Sequence, residues 1–266
     1  MLLTIDIGNT QIAAGLFIEA ELCAHWRLAS DRDRTEDETW IMMQSICRAH
    51  GFAIEQSQGI VISSVVPDMT ASFEKMARKY LHQEPVTVSH ALDLGIKIIY
   101  SNPDHVGADR ICNAVGGVAK YGCPLIVVDL GTATTFDVVS QNSDYLGGII
   151  APGIETSAAI LHQRAARLPR VELRFPDKAI GHSTETSIQS GLMFGAVAMI
   201  DGMIARIEKE LGCKTQTVAT GGLARVIISE LKSVHTFDPY LTLEGLRLIY
   251  ERNRKDTKIR PGTHPA

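Results

Sequence analysis

The stretch LLTIDIGNTQIAAGLF, residues 2–17, decides the fold that this chain adopts. Its first apolar run, residues 2–5, predicts a strand that ends at Asp6. The chain then turns at Gly8 and the two polar residues after it, and a second apolar run over 12–17 predicts the returning strand. We therefore interpret this stretch as a β-hairpin with an acidic residue directly before its turn.

The same pattern recurs far downstream, in LIVVDLGTATTFDVV at residues 125–139. Asp129 and Gly131 occupy the places that Asp6 and Gly8 hold in the first copy. A repeated unit of strand, acidic residue, small-residue turn and strand predicts two related halves that face each other. We expect the chemistry of the protein to lie where the two turns meet.

The composition is that of an ordinary globular protein, with 45% hydrophobic and 21% charged residues among 266. The net charge of -4 lacks the basic footprint of nucleic-acid binding, so no nucleic-acid partner is expected. Five scattered cysteines, none in CxxC spacing, indicate reduced thiols.

No apolar run approaches the ~18 residues of a membrane span, and a strand at the very start leaves no room for a signal peptide. We expect a soluble cytoplasmic protein without membrane attachment.

Strands and helices alternate along the chain, which predicts an α/β fold with a hairpin-led mixed sheet and flanking helices in each half. In the first half, further strands are predicted at 25–28, 59–66 and 86–88, and helices at 35–51 and 68–81. In the second half, strands are predicted at 145–150 and 217–219, and helices at 109–121, 154–162, 185–211 and 243–252. We divide the chain into halves 1–108 and 109–254, and expect the tail, 255–266, to be disordered because it has no apolar pattern.

The duplicated turn has a chemical meaning. A strand followed by a tight glycine turn presents successive backbone N–H groups, and such a concavity binds anions, especially phosphates. Asn9, Thr10 and Thr132 add side-chain donors, while Asp6 and Asp129 are best explained as holding a cation that neutralises phosphates. One such turn alone is usually an ordinary β-turn. Two copies, with a third glycine-rich turn at 220–222, favour a nucleotide site.

A carboxylate in the connector between the halves could act as a general base. Asp109 follows Gly107 at a predicted helix start, where an aspartate is commonly a cap for backbone N–H groups. A kinase that acts on an alcohol needs a carboxylate within hydrogen-bond reach of the attacking hydroxyl, and Asp109 is the best candidate. Its neighbour Arg110 could hold polar substrate groups or form a surface ion pair.

The whole arrangement resembles the superfamily of actin, sugar kinases and heat-shock ATPases, in which two ribonuclease-H-like halves clasp a nucleotide. The competing signatures GxxxxGK[ST] and GxGxxG opening a helix are absent. Seven motifs in order more specifically resemble type III pantothenate kinases: DIGNT at 6–10, YSNP…GADR at 100–110, DLGTATT at 129–135, GGIIAPG at 147–153, LPRVEL at 168–173, QSG at 189–191 and ATGG at 219–222.

That resemblance implies ATP-dependent phosphorylation of pantothenate to 4'-phosphopantothenate, the first step of coenzyme A biosynthesis, by a homodimer. It implies that Asp109 is the general base and that Asp129 binds a monovalent cation, potassium or ammonium. Asp6, with Asp129, would organise the Mg²⁺ of Mg-ATP. The ATP contacts would be Asp6, Ile7, Gly8, Asn9, Thr10, Gln11, Ile12, Ala13 and Thr132. The pantothenate contacts would be Tyr100, Gly107, Ala108, Asp109, Arg110 and Thr184.

Two other functions are compatible with the residues. The same fold could act on another small acceptor, or the chain could be a nucleotide-binding regulator that has lost catalysis. The intact set of Asp6, Asp109 and Asp129 argues against the regulator.

Overall fold

The computed structural model describes residues 1–165 and 168–254 and contains two mixed sheets. The first sheet has the order β3-β2-β1-β4-β5. Its strands are β1 (Leu2–Ile7), β2 (Gln11–Ile18), β3 (Glu21–Ala29), β4 (Gly59–Ser64) and β5 (Val86–Thr87). The second sheet has the order β11-β10-β7-β8-β9-β6. Its strands are β6 (Lys97–Ile98), β7 (Leu125–Leu130), β8 (Ala133–Val139), β9 (Asp144–Pro152), β10 (Gln216–Thr220) and β11 (Thr236–Phe237).

The predicted duplication is confirmed by the way in which the strands pair. In each sheet a hairpin pair is antiparallel, and its first strand also pairs in parallel with a later strand: β1 with β4, and β7 with β10. The order β3-β2-β1-β4-β5 therefore recurs as β9-β8-β7-β10-β11, with β6 added at one edge. Equivalent strand ends consequently carry Asp6 and Asp129.

In the described residues, seven α-helices cover the sheets and lie between them. They are α1 (Glu36–Ala49), α2 (Pro67–Met76), α3 (Ala108–Tyr121), α4 (Ile154–Arg164), α5 (Thr184–Leu211), α6 (Ala224–Ile227) and α7 (Leu241–Asn253). The capping box predicted at Thr35 and Glu38 is present, with both reciprocal hydrogen bonds. The helix predicted over 68–81 consists of two parts. It is α-helical as far as Met76, and a π-helical turn follows at Ala77–Leu81.

Among the described residues, three apolar cores hold these layers together. One lies on the outer face of the first sheet and includes Ile5 and Met43, and another lies on the outer face of the second sheet and includes Val128 and Ile200. The third core lies between the sheets. It joins their inner faces to α3 and α7, and its buried members include Leu2, Phe17, Ile111, Val127, Leu243 and Leu246.

The last helix, α7, reaches back to the start of the chain. It packs on α3 and also contacts β1, β2 and β4 of the first sheet. Strand β6, which precedes residue 108, pairs with β9 of the second sheet. Contacts therefore cross between the halves in both directions, and the division after residue 108 stays a prediction. The expected disorder of 255–266 lies outside the described residues.

Helix α5 differs from the expectation that no stretch is long and apolar enough to span a membrane. By length and composition, Thr184–Leu211 passes that test. Its small and weakly polar residues break up any continuous apolar run, although the average over 18 residues is apolar. One face, which includes Met193, Ala196 and Ile200, packs into the outer core of the second sheet, and 28% of the apolar window is buried. Such a helix is weak support for a membrane span, because core helices of soluble proteins pass the same test.

We predict that Gly245→Ala will destabilise the protein through the contact of α7 with α3. A Cβ atom at Gly245 would overlap the backbone carbonyl of Cys112. Overpacking of this kind costs about 1–3 kcal/mol, so the melting temperature should fall by several degrees. The matched control is Gly202→Ala in α5, where a Cβ would meet nothing within 4 Å and alanine favours the helix. Equal melting temperatures for Gly245→Ala and the wild type would contradict the close packing.

Candidate active site

The first predicted phosphate turn lies at the end of β1 and is held from two sides. The N–H of Gly8 donates to the carbonyl of Gln11 at 3.0 Å, which closes the turn. Ser30, at the end of β3, donates its hydroxyl to the carbonyl of Gly8 at 2.6 Å and its N–H to the carbonyl of Thr10 at 3.0 Å. The exposed side chains of Asn9 and Thr10 are thereby left at the rim of the turn, where a ligand can reach them.

The second turn has the same construction and touches the first. The N–H of Gly131 donates to the carbonyl of Ala133 at 3.0 Å, and Thr156 of α4 donates to the carbonyl of Thr132 at 2.7 Å. The hydroxyls of Thr10 and Thr132 share a hydrogen bond of 3.0 Å, although 122 residues separate them. The expectation that the two turns meet is therefore confirmed by the structure.

The third glycine turn completes the same cavity wall. Gly221 has a φ of 92°, which favours glycine, and a Cβ there would collide with Asp129 Oδ1. Strand β10 ends with Thr220 opposite Asp129, so the turn at Gly221 and Gly222 lies beside that carboxylate. Three glycine turns and an aspartate consequently border one cleft between the two sheets.

Three carboxylates approach each other in this cleft. Burial, together with the negative charges of Asp109 and Asp129, raises the pKa of Asp6 to about 7. Burial also raises the pKa of Asp129 to about 6, with Asp109 adding to the shift. Burial is likewise the main reason that the pKa of Asp109 lies above its usual range. Desolvated carboxylates at such proximity favour a cation between them or a proton on one of them.

Neighbouring side chains hold two of these carboxylates in place. Ser63, at the end of β4, donates to Asp6 Oδ1 at 2.8 Å. Asn113 of α3 donates to Asp129 Oδ2 at 3.1 Å, and Thr242 of α7 donates in turn to Asn113 Oδ1 at 2.7 Å. The Asp129 carboxylate is thus oriented by a chain of hydrogen bonds that runs through two helices.

Asp109 is the second residue of α3 and not its cap. Gly107 occupies the N-cap position, with no side-chain cap bond, and the Asp109 Oδ1 atom accepts the N–H of Arg110 at 2.8 Å. A Cβ at Gly107 would crowd this Oδ1, so glycine is required for the carboxylate to turn in. Among the hydrogen bonds of the described chain, none engages Asp109 Oδ2. That oxygen is therefore not engaged within the described part of the molecule.

The side chain of Arg110 is buried and is held in an ion pair. It is 7% exposed, and its Nε donates to Asp137 Oδ1 at 2.6 Å. Tyr145 donates its hydroxyl to the same oxygen at 2.9 Å. Within the described parts of the chain, Asp137 Oδ2 is buried and has no hydrogen-bond partner. The alternative of a surface ion pair is wrong, because β8 directs Asp137 inward toward α3 and the pair is buried. The predicted contact of Arg110 with substrate stays a prediction.

The other predicted substrate residues lie in two places. Tyr100 lies against Gly147 of β9, near Tyr145 and Arg110, since a Cβ at Gly147 would be 3.0 Å from the Tyr100 ring. Thr184 instead begins α5 and lines a groove between α4 and α5. No contact joins Thr184 to Asp109 or Tyr100 among the hydrogen bonds of the described residues. The structure thus brings together five of the six predicted pantothenate contacts.

The residues of the cleft fit a cation that a nucleotide would bring with its phosphates. Across the described residues there is no group of three or more acidic, histidine or cysteine side chains that could hold a metal alone. Magnesium, however, usually binds through one or two carboxylates plus substrate phosphates. Asp6 and Asp129 lie near the ends of β1 and β7, directly before the two phosphate turns, where carboxylates could bind such an ion together with the phosphates.

Several residues of the site had escaped sequence reasoning. Ser63, Asn113 and Asp137 each support a predicted residue, yet each lies between 16 and 57 residues from its partner. The one signal that could have found Ser63 is its place at the end of a strand parallel to the Asp6 strand. No local pattern marks the other two.

Comparisons with known proteins agree with this geometry. A Campylobacter jejuni protein described as a Baf family transcriptional activator has 22% identity and a TM-score of 0.59, covering 94% of this chain and 98% of that chain. The activator of 2-hydroxyisocaproyl-CoA dehydratase from Clostridium difficile, solved with bound ADPNP, has 13% identity and a TM-score of 0.52, covering 92% and 91%. A Listeria monocytogenes protein described as an N-acetylmannosamine kinase has 10% identity and a TM-score of 0.54, covering 94% and 98%.

At these identities the structural likeness shows the fold alone, which is the duplicated fold of sugar kinases and related ATPases. The family is shown by sequence. The model of the type III pantothenate kinases matches residues 2–206, more than half of the chain. With its paired phosphate turns and the carboxylates between them, the chain belongs to the type III pantothenate kinase family and is an ATP-using phosphotransferase.

Proposed function

We propose that the protein transfers the γ-phosphoryl group of ATP to the primary hydroxyl of pantothenate, giving 4'-phosphopantothenate for coenzyme A synthesis. The observation that carries this proposal is the position of Asp109. Its carboxylate lies in the first turn of α3, close enough to Asp6 and Asp129 to raise their pKa values, at the cleft where the two phosphate turns meet. A base and a phosphate site in one cleft are what phosphoryl transfer to an alcohol requires.

In the proposed reaction, Asp109 Oδ2 accepts the proton of the attacking hydroxyl. Burial raises the pKa of Asp109, which brings its basicity closer to the operating pH than that of an exposed aspartate. The backbone around Gly8 and Gly131 receives the phosphates, with Asn9, Thr10 and Thr132 at the rim. The turn residues 6–13 and Thr132 are therefore our proposed ATP contacts.

The acceptor would lie on the side of α3 that faces β9. Tyr100 covers Gly147 there, and residues 107–110 form the wall. The guanidinium of Arg110 is already oriented by Asp137 and Tyr145, so it is prepared for a polar group such as the carboxylate of pantothenate. A guanidinium with a fixed direction recognises a carboxylate more selectively than a mobile one.

We assign the cations to the same carboxylates. Asp6 and Asp129 would organise Mg²⁺ with the phosphates, and Asp129 would also hold a monovalent cation, potassium or ammonium. A bound divalent ion supplies charge neutralisation of the transferring phosphoryl group. The chain itself supplies the direction of each carboxylate, through Ser63 and Asn113.

One assay tests the proposed reaction. ADP release from Mg-ATP is measured with and without pantothenate, first in potassium and then in sodium buffer. Turnover that requires both pantothenate and potassium is expected. Turnover that ignores pantothenate, or no turnover, would refute the assignment of the acceptor. Equal rates in sodium and potassium would refute only the monovalent site at Asp129.

A regulatory function is the second candidate, because the Campylobacter neighbour is described as a transcriptional activator. A kinase with another small alcohol as its acceptor is the third. ADP release driven by a different alcohol would favour that kinase. Tight ATP binding without any ADP release would favour the regulator.

We further propose a cytoplasmic homodimer that forms through α4 and α5. The groove between these helices has a volume of about 470 Å³ and an apolar lining of Leu161, Leu168, Ile188 and Leu192 beside Thr184. Along the outer face of α5, a Cβ at Gly191 or Gly195 would meet nothing within 4 Å. Such a bare apolar helix face permits close approach of a second copy, which could bring Thr184 to a substrate site.

Gly191→Glu is therefore expected to convert the dimer to a monomer. The substitution places a charge on the proposed interface, while glutamate in a helix is more favourable than glycine, so the subunit should still fold. Sedimentation equilibrium and circular dichroism measure the two properties. The matched control is Gly202→Glu. Gly202 is also an exposed glycine of α5, but it lies nearer the C-terminal end of that helix. A dimeric Gly191→Glu protein, or a monomeric wild type, would overturn the proposed interface.

A further inference from the structure

Arg27 lies in the nucleotide cleft, yet no sequence motif marks it. It belongs to β3, where it pairs with Ala13 of β2, and Ala13 pairs in turn with Asp6 of β1. Residues that are directly opposed across neighbouring strands direct their side chains to the same face of the sheet. Asp6, Ala13 and Arg27 therefore form one row on the inner face of the first sheet.

That face looks toward the second half of the chain. Two residues before Arg27, on the same face, the ring of His25 lies 4.5 Å from the ring of Tyr240 and is hydrogen-bonded to its hydroxyl at 2.7 Å. Arg27 itself reaches the third glycine turn, because its Nη1 lies 3.4 Å from the position of a Cβ on Gly222. The arginine thus crosses the cleft from β3 to the end of β10.

Little side-chain volume lies between Asp6 and Arg27 in this row. Between Asp6 and Arg27 the row contains only the methyl group of Ala13. Two strand spacings separate Asp6 from Arg27, so their Cα atoms are about 10 Å apart. This gap has a carboxylate for a cation at one end and a guanidinium at the other.

The guanidinium of Arg27 forms no ion pair with a carboxylate of the described residues. Across residues 1–165 and 168–254, the ion pairs and side-chain hydrogen bonds do not include its guanidinium. The nearby Arg32, in contrast, donates to the Asn9 side chain at 3.3 Å. Arg27 acts on Asp129 only at longer range, as a positive charge that favours its ionised form. Arg27 is an exposed arginine whose guanidinium lies beside the third glycine turn and in one row with Asp6, a position in which it can meet an anionic ligand bound in the cleft.

We propose that Arg27 binds the phosphates of the nucleotide, as a ligand supplied by β3 from outside the phosphate turns. Its neighbours, Ala13 and Gly222, belong to the nucleotide side of the cleft, whereas Tyr100 and residues 107–110 of the proposed pantothenate site lie beside β9 and at the start of α3. The inference rests on the nucleotide cleft of the proposed function and is independent of the identity of the acceptor.

Calorimetric titration of Arg27→Gln with ADP, AMP and adenosine tests this assignment, in the absence of pantothenate. We expect ADP affinity to fall about 10-fold or more, because a charge-assisted hydrogen bond is lost, while adenosine affinity stays within about two-fold. Arg27→Lys should recover part of the ADP affinity, since it keeps the charge. The matched control is Arg48→Gln, which removes an arginine from the exposed side of α1.

Two results would overturn the proposal. Wild-type ADP affinity in Arg27→Gln would show that no phosphate depends on the guanidinium. An equal loss for ADP and adenosine, accompanied by a lower melting temperature, would show that Arg27 only holds the two halves together. If Arg27→Gln does not fold, the same ligand series on Arg27→Lys decides, since a lysine without phosphate contact would leave the ADP-to-adenosine ratio unchanged. Pantothenate turnover is not measured in these titrations, so a wrong acceptor would leave their outcome unaffected.

Discussion

Replacing Asp109 with asparagine is expected to lower kcat by about 10²–10⁴-fold, the range typical for removal of a general base. The amide keeps the shape of the side chain and can still accept the N–H of Arg110, so α3 should be undisturbed. ATP affinity should change little, because the phosphate turns lie on other elements. Steady-state kinetics with pantothenate and ATP varied in turn measure both effects.

The control for this experiment is Asp104→Asn, which removes an exposed carboxylate from the same connector. It should leave kcat unchanged. Near-normal turnover of Asp109→Asn would exclude Asp109 as the base. An increase in the KM for pantothenate with an unchanged kcat would instead assign Asp109 to substrate binding alone.

Replacing Asp6 with asparagine is expected to reduce activity at least as much as Asp109→Asn and to stabilise the ligand-free protein at alkaline pH. The loss of activity follows because Mg²⁺ prefers carboxylate ligands, and phosphoryl transfer relies mainly on positioning and charge neutralisation. The gain in stability follows from the pKa of Asp6, which burial and the nearby carboxylates raise from 3.8 to about 7.

A carboxyl group with a raised pKa binds its proton more tightly in the folded state than in the unfolded state. The folded protein is therefore favoured at low pH and loses that advantage as the pH rises from about 4 to about 7. At pH 8 the ionised Asp6 costs up to about 4 kcal/mol of unfolding free energy, and the neutral asparagine does not carry this cost. Ser63 can still donate to the amide oxygen of the replacement.

Thermal melts at pH 5 and pH 8 without Mg²⁺ measure this effect. Asp6→Asn should melt above the wild type at pH 8, and the difference should shrink at pH 5. Exposed Asp33 provides the control Asp33→Asn, with no expected pH-dependent change. A melting temperature for Asp6→Asn that is below the wild type at both pH values would refute the prediction that ionised Asp6 destabilises the folded protein.

The sequence predicted the two halves well because their signal is local and repeated. A buried strand, an acidic residue and a glycine turn specify a hairpin within about fifteen residues, and the second copy identifies the partner. The two turns then had to meet, as the Thr10–Thr132 hydrogen bond confirms. Asp6, Asp109 and Asp129, which the structure places close together, were likewise predicted from short motifs.

The remaining features depend on contacts between distant segments. Arg110 carries no sign that its partner is Asp137, because that pairing depends on the register of β8 beside α3. Strand β6 is only two residues long and joins the second sheet at its edge, so no periodicity could reveal it. The row that joins Asp6 to Arg27 exists only once three strands are in register.

The return of α7 to the first sheet has a consequence for biosynthesis. Leu243, Leu246 and Ile249 cover the same core as Leu2 and Phe17. Translation at about 5–20 residues per second needs roughly 12–50 s to add the residues between β1 and α7. During this interval the inner face of the nascent sheet stays uncovered, and long-range contacts of this kind slow folding further. A chain whose synthesis stops before residue 241 would therefore expose this apolar face, which chaperones can bind and through which the chain can aggregate.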